Sequence, residues 1–175
     1  MKTPVLESER LLLRPLTVDD AERVFMWTGD PRVAECMIWD IHKTVEDTRQ
    51  WLLDETSNID SDKDYTWGVV LKENGELVGS CALMKIDKTC FETGCNFIYD
   101  FWGRGYGTEA TRTILEFGKK ELRQRRFFAR HAVDNDRAKR VLEKLNFEFS
   151  NYNVCYTLGE RKRFEVKEYY LHVTE

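Results

Sequence analysis

The segment that most constrains this chain lies at residues 102–108 and reads Trp-Gly-Arg-Gly-Tyr-Gly-Thr. Its alternate glycines separate a predicted strand, which ends near Tyr99, from a predicted helix, which begins near Thr108. Glycine lets consecutive N–H groups point into one concavity, and the N-terminus of a helix adds positive potential. The segment therefore predicts a site for a phosphate or pyrophosphate group, to which Arg104 would add charge.

Two common phosphate-binding motifs do not fit this spacing. The dinucleotide fingerprint is GxGxxG, whereas here the third glycine, Gly107, comes one residue early. The Walker A loop needs Gly-Lys followed by Ser or Thr, and the segment has no such sequence. A plain glycine-rich turn without a ligand is the alternative interpretation of these residues taken alone.

The rest of the chain alternates strand and helix patterns in the order β-α-α-β-β-β-α-β-α-β-β. Asn74-Gly75 predicts a hairpin turn, and Thr44 with Asp47 predicts a capping box. Asn146 stands where a helix needs a left-handed residue after its end. The order predicts an α/β fold in one domain over 1–175, with a mixed sheet of about seven strands and helices on both faces. The strands are predicted at 10–14, 66–71, 77–84, 91–99, 127–133, 147–158 and 164–173.

Composition and charge exclude several classes of function. The net charge of −4 argues against a nucleic-acid partner. Residues 1–4 lead into charged residues, and no apolar run approaches the roughly 18 residues of a membrane helix, so we expect a cytoplasmic protein without a membrane partner. The histidines are scattered without ligand spacing. The cysteines are odd in number, contain no CxxC pair and predict free thiols without a metal: Cys36, Cys81, Cys90, Cys95 and Cys155.

Several pieces in sequence order resemble the GNAT acetyltransferases. They are Glu92-Thr93-Gly94, the run 101–110 that contains the glycine segment, and Asn135 followed by 141–147. The opening run 6–15 is similar to the RimJ/RimL-type branch, the ribosomal-protein N-terminal alanine acetyltransferases. The resemblance covers nearly the whole chain. It implies an acetyl-CoA-dependent N-acetyltransferase with a mostly antiparallel sheet, in which two neighbouring parallel strands splay apart.

The same resemblance implies the binding residues. Acetyl-CoA would be the co-substrate, without a metal. The backbone of Phe97, Ile98 and Tyr99 would pair with the pantetheine arm, and Asn135 would lie near pantetheine or the acetyl group. The pyrophosphate would be held by Trp102, Gly103, Arg104, Gly105, Tyr106, Gly107 and Thr108.

The residues also support a catalytic hypothesis. Glu92 is the candidate general base, directly or through water, because burial beside an apolar strand would raise its pKa. A solvated or paired strand carboxylate is the alternative. A backbone N–H near Ile98 or Tyr99 would bind the developing oxyanion. Ala138 and Leu142 replace common family proton donors, so the general acid stays open among Tyr99, Tyr106 and water.

The acceptor is predicted to be a primary amine. A protein N-terminal α-amine is the first choice because it titrates at about 8, against about 10.4 for lysine, and so asks less of a base. The alternatives are a small amine (a polyamine, an aminoglycoside or an amino-acid analogue) and a non-catalytic acyl-CoA-binding module. Trp27, Trp39 and Trp51 would line an acceptor pocket or fill the core. A homodimer is an expectation at the level of the family only.

Overall fold

A single sheet of eight strands organises the part of the chain that the computed structural model describes, residues 2–37, 39–57, 63–157 and 162–173. The spatial order is β1-β2-β3-β4-β5-β6-β8-β7, and only β5 and β6 are parallel. The strands are β1 Leu6–Glu7, β2 Leu11–Arg14, β3 Asp64–Leu71, β4 Leu77–Lys85, β5 Cys90–Phe97, β6 Arg126–Ala132, β7 Glu148–Tyr156 and β8 Arg163–His172. The helices are α1 Ala21–Thr28, α2 Pro31–Ala34, α3 Val45–Ser57, α4 Tyr106–Lys120 and α5 Asp136–Lys144.

This architecture confirms the predicted α/β fold and corrects three details. The sheet has one strand more than predicted, because the two-residue β1 pairs with β2 and is too short to show an alternating pattern. Helix α4 begins at Tyr106, two residues before the predicted start. Strand β5 ends at Phe97, two residues before the predicted end, because Tyr99 begins a short 3-10 helix. The predicted strand end at Leu158 lies outside the described residues and is not tested.

Alternation along the strands builds one hydrophobic cluster on each face of the sheet. In β2, Leu11 and Leu13 belong to the cluster that contains Ile114 of α4, whereas Leu12 packs against the other cluster. The second cluster contains Trp27 of α1 and residues of α2 and α3. Successive side chains of a strand point to opposite faces, so both faces of the sheet carry apolar side chains. Helices cover both faces.

Local capping signals place the helix ends as predicted. The Asp47 amide donates to the Thr44 hydroxyl at 3.2 Å, and the Thr44 amide donates to the Asp47 carboxylate at 2.9 Å. At the C-terminus of α5, Asn146 has φ +62°, and the Phe147 amide donates to the Leu142 carbonyl at 3.0 Å. This bond from Phe147 to Leu142 belongs to the Schellman arrangement, which a left-handed residue permits.

The left-handed conformation of Asn146 leads to a stability prediction. Asn146→Ala is expected to lower the free energy of unfolding by about 1 kcal/mol, because a Cβ without a local hydrogen-bonding group is disfavoured at positive φ. Asn146→Gly is expected to match or slightly exceed the wild-type stability. Urea unfolding of the three proteins measures the difference. Equal stability of Asn146→Ala and wild type would contradict the role of this conformation.

Candidate active site

A gap opens in the sheet between the parallel strands β5 and β6. The two strands pair only through Cys90, Phe91 and Glu92 of β5, which lie opposite 126–128 of β6. Beyond Glu92, β5 continues to Phe97 without pairing to β6. The edge of β5 therefore presents backbone groups that a bound chain can pair with. This is the splayed parallel pair that the resemblance to the GNAT acetyltransferases implies.

The register of β5 decides which backbone groups face the gap. The Ile98 amide donates to the Val78 carbonyl at 2.9 Å, so it points towards β4. Because hydrogen-bonding direction alternates along a strand, the N–H and C=O of Phe97 point towards the gap. The Phe97 carbonyl accepts a hydrogen bond from the Trp102 indole at 2.9 Å. The Phe97 amide, and not the Ile98 amide, is therefore the hydrogen-bond donor that faces the gap.

The glycine segment adopts a conformation that only glycine takes readily. Gly103 has φ +77° and Gly105 has φ +82°, in the left-handed region that disfavours residues with a Cβ. The first backbone bond of α4 runs from the Glu109 amide to the Gly105 carbonyl at 3.1 Å. The earlier N–H groups of the helix consequently have no partner within it and are available to an anion.

The N-terminal part of the chain holds this segment in place. The Arg10 guanidinium donates to the Arg104 carbonyl at 3.1 Å and to the Glu109 carboxylate at 2.7 Å, and its Cζ lies 4.7 Å from the centroid of the Tyr106 ring. The Ser8 hydroxyl donates to the same carboxylate at 2.7 Å. Arg10 and Glu109 are 99 residues apart in the chain, so no local pattern in the sequence reveals the contact.

The gap and the glycine segment open into one cleft of about 700 Å³. Ile98, Tyr99 and Arg104 do not line it. The Ile98 side chain is buried in the α1–α3 cluster, the Tyr99 ring packs against Trp102, and the Arg104 guanidinium lies over the Phe101 ring. The other predicted site residues line the cleft: Glu92, Phe97, Trp102, Gly103, Gly105, Tyr106, Gly107, Thr108 and Asn135.

A basic face of α5 lines the cleft. Arg137, Arg140 and Lys144 all line it, and their spacing of three and four residues places them on one side of the helix. The Cζ atom of Arg137 lies 4.0 Å from the centroid of the Trp102 ring. The basic run 119–126, by contrast, begins in the last turn of α4. The rise of about 1.5 Å per residue places the start of this run about 20 Å from the first turn of the helix. The spacing of the three basic residues of α5 is a signal that the sequence alone contains.

Glu92 lies in the cleft and is also ion-paired. Its side chain is 15% exposed, and its carboxylate accepts hydrogen bonds from Arg130 at 2.8 and 3.2 Å. Burial raises the pKa of Glu92, the Arg130 guanidinium opposes that rise, and Glu168 adds to it. The net direction is upward, as predicted from burial. Glu92 and Arg130 are 38 positions apart in the chain, so no local sequence pattern indicates that they pair.

The remaining candidates divide between the cleft and the core. The Asn135 side-chain oxygen caps α5 by accepting from the Ala138 amide at 3.1 Å, and Ala138 and Leu142 line the cleft without offering a proton donor. Of the two candidate tyrosines, Tyr106 lines the cleft. Trp39 and Trp51 line it too, whereas Trp27 is fully buried.

Other reactive side chains have structural surroundings. His131 hydrogen-bonds the Ala132 carbonyl and the Tyr169 hydroxyl, and His42 hydrogen-bonds Thr48. Burial lowers the pKa of both histidines. Among the described residues, no group of three or more His, Cys, Asp or Glu side chains is arranged to hold a metal ion. None of the helices described there is long and apolar enough to span a membrane.

Comparisons with known proteins agree with this geometry. The family model of the acetyltransferase (GNAT) domain matches residues 10–148. The uncharacterised N-acetyltransferase p20 of Bacillus licheniformis is 25% identical over 82% of each chain, and the uncharacterised N-acetyltransferase YoaA of Bacillus subtilis is 25% identical over 83% of each.

Solved structures share the fold over nearly the whole chain. A GNAT-family acetyltransferase from Bacillus anthracis has a TM-score of 0.84 and 26% identity, covering 97% of this chain and 98% of that one. RimL, a ribosomal L7/L12 α-N-protein acetyltransferase solved with coenzyme A, has a TM-score of 0.83 and 16% identity over the same shares. The splayed strands, the glycine segment and the family match agree, and the chain is an acetyltransferase that belongs to the GNAT family.

Proposed function

We propose that this chain transfers an acetyl group from acetyl-CoA to a primary amine, with a protein N-terminal α-amine as the first choice of acceptor. The observation that carries the proposal is the continuity of the β5–β6 gap with the glycine segment at the N-terminus of α4. A coenzyme with a pyrophosphate and an extended arm fits such a site, because helix N–H groups bind phosphate and a free strand edge pairs with amides.

The charge distribution of the cleft supports this placement of the coenzyme. Basic side chains of α5 line the cleft around Trp102 and the glycine segment, as Arg137, Arg140 and Lys144 show. The carboxylates of Glu55 and Glu92 line it elsewhere. A polyanionic coenzyme is attracted to the first set and a cationic amine to the second. An N-terminal α-amine is the acceptor that the name of RimL gives, and RimL shares this fold.

Named groups supply the chemistry of the transfer. Acetyl-CoA, when bound, supplies an activated acetyl thioester. Glu92 takes the proton of the attacking amine, directly or through water, as the N–C bond forms and the C–S bond breaks. The Phe97 amide, presented at the gap, donates to the developing oxyanion. The thiolate needs little help to leave, since a thiol titrates at about 8.5, and Tyr106 or water returns a proton to it.

The acceptor prediction is tested with a peptide that begins with Ala or Ser and contains an internal lysine. At pH 7 the α-amine is expected to react more than about 100-fold faster than the lysine amine, because a far larger fraction of it is neutral. Mass-spectrometric mapping of the acetylated positions measures the ratio. The preference should shrink at pH 9, as the neutral fractions approach one another.

A peptide with a blocked N-terminus is the control, and it should give almost no product. Mapping that finds only lysine acetylation, or a broad acceptor screen that gives only small-molecule products, would remove the N-terminal acceptor. Transfer to any amine would still support the acetyltransferase chemistry.

A further inference from the structure

One carboxylate of the cleft, that of Glu55, forms no ion pair with any side chain in the part of the chain that the structure describes. Glu55 lies four residues after Trp51 in α3, so both side chains share one face of the helix, and both line the cleft. Thr66 is the neighbour that lowers the pKa of Glu55, and no basic side chain within the described ranges acts on the Glu55 carboxylate. Glu92, the other glutamate of the cleft, is paired with Arg130. Glu55 is therefore available to a cation from outside.

The surroundings of Glu55 are acidic and partly buried. Burial raises the pKa of Glu55, and Asp64 and Asp54 raise it further, while only Thr66 lowers it. A half-buried carboxylate of this kind gains more from a bound cation than an exposed one, because water screens the attraction less.

A floor of small side chains connects Glu55 with the gap. The sheet register places Thr66 of β3 opposite Ala82 of β4, and Ala82 opposite Gly94 of β5. All three line the cleft, and a Cβ built on Gly94 meets nothing within 4 Å. Two strand spacings of about 4.8 Å separate Thr66 from the edge of β5, a distance of about 10 Å. A slender chain can lie along this floor.

Aromatic rings line the same end of the cleft. Trp39 and Trp51 both line it, and their rings lie 6.0 and 6.2 Å from the ring of His42. Burial lowers the pKa of His42 and so disfavours the charged form of its imidazole. Indole faces attract cations. The carboxylate and the indoles together make a recognition site for a positive group.

We propose that Glu55 determines acceptor specificity and that the acceptor carries a second cationic group about 10 Å from the amine that is acetylated. The inference rests on the proposed function, because it takes the β5–β6 gap as the place where the amine reacts. Two sources share this chemistry: a small diamine or polyamine, and a peptide whose N-terminal residue is followed by a basic one.

Matched acceptors test the proposal. One pair is an α,ω-diaminoheptane and the monoamine of the same length, and the other is a peptide that begins Ala-Lys and its norleucine analogue. The wild-type kcat/KM is expected to favour the dication by about 10- to 100-fold in at least one pair, mainly through KM, as for a charge-assisted hydrogen bond. Glu55→Gln should abolish that preference. Glutamine keeps the shape of the side chain at this partly exposed position, so the fold and the acetyl-CoA affinity should hold.

Glu46→Gln is the matched control, because Glu46 is an exposed carboxylate on the same helix and its removal should leave the preference unchanged. A preference only for the diamine would identify a small-molecule acceptor, and one only for Ala-Lys would identify a protein N-terminus. Equal use of both members of each pair by the wild type, or an equal loss for both in Glu55→Gln, would overturn the proposal.

Calorimetry with the coenzyme A complex separates this inference from the proposed function. Binding of the dication that is about 10-fold or more weaker in Glu55→Gln, without acetylation of any acceptor, would support the inference and contradict the proposed function. Acetylation of amines without any preference for a second charge would support the proposed function and contradict the inference.

Discussion

Gly105→Val is expected to weaken acetyl-CoA binding by about 100-fold or more, equal to about 2.7 kcal/mol. Gly105 has φ +82° and is the residue before the first turn of α4. A β-branched residue is strained at this φ, and the backbone shift would misalign the N–H groups that we propose bind the pyrophosphate. Its Cβ would also meet the Arg10 guanidinium at 3.3 Å. Calorimetric titration with acetyl-CoA measures the loss.

Gly75→Val provides the matched control for backbone strain. Gly75 has φ +74° in the hairpin between β3 and β4, and a Cβ there meets nothing within 4 Å. Both variants should lose some thermal stability, because valine is strained at both positions, but Gly75→Val should keep its acetyl-CoA affinity. A folded Gly105→Val protein with unchanged affinity would refute the proposed role of the glycine segment.

Glu92→Gln is expected to lower kcat by roughly 10²- to 10⁴-fold, the usual contribution of a positioned base, while acetyl-CoA affinity stays the same. Glutamine keeps the shape of the side chain and still accepts a hydrogen bond from Arg130, but it cannot take a proton. Steady-state kinetics and calorimetry on the same preparation separate the two effects. Glu165→Gln, at an exposed carboxylate of β8, is the control and should be neutral.

The pH dependence distinguishes a base from a structural carboxylate. A base acts only when ionised, so the wild-type rate should fall as pH drops through the pKa of Glu92, which burial raises above its usual value. Glu92→Gln should lose this acidic limb. Arg130→Gln removes the group that lowers the pKa of Glu92, so the limb should move to higher pH. Near-normal kcat with an unchanged profile in Glu92→Gln would show that Glu92 is structural.

The sequence by itself determined the local features of the protein. The capping box at Thr44, the hairpin at Gly75, the glycine segment and the left-handed residue Asn146 all appear in the structure. Each depends on atoms within a few residues of one another, so residue type and spacing suffice to predict it. The family resemblance added the splayed strands β5 and β6.

Only the tertiary structure decided which groups face one another in the cleft. The register of β5 presents the amide of Phe97 and engages that of Ile98 with β4, although the two residues are adjacent in sequence. Arg130 of β6 pairs with Glu92 of β5, and Glu55 of α3 and Thr66 of β3 line the same cleft. Such contacts depend on strand register and helix packing over the whole domain. A one-residue slip reverses the face of every side chain in a strand, so these contacts follow only when the register of the whole sheet is known.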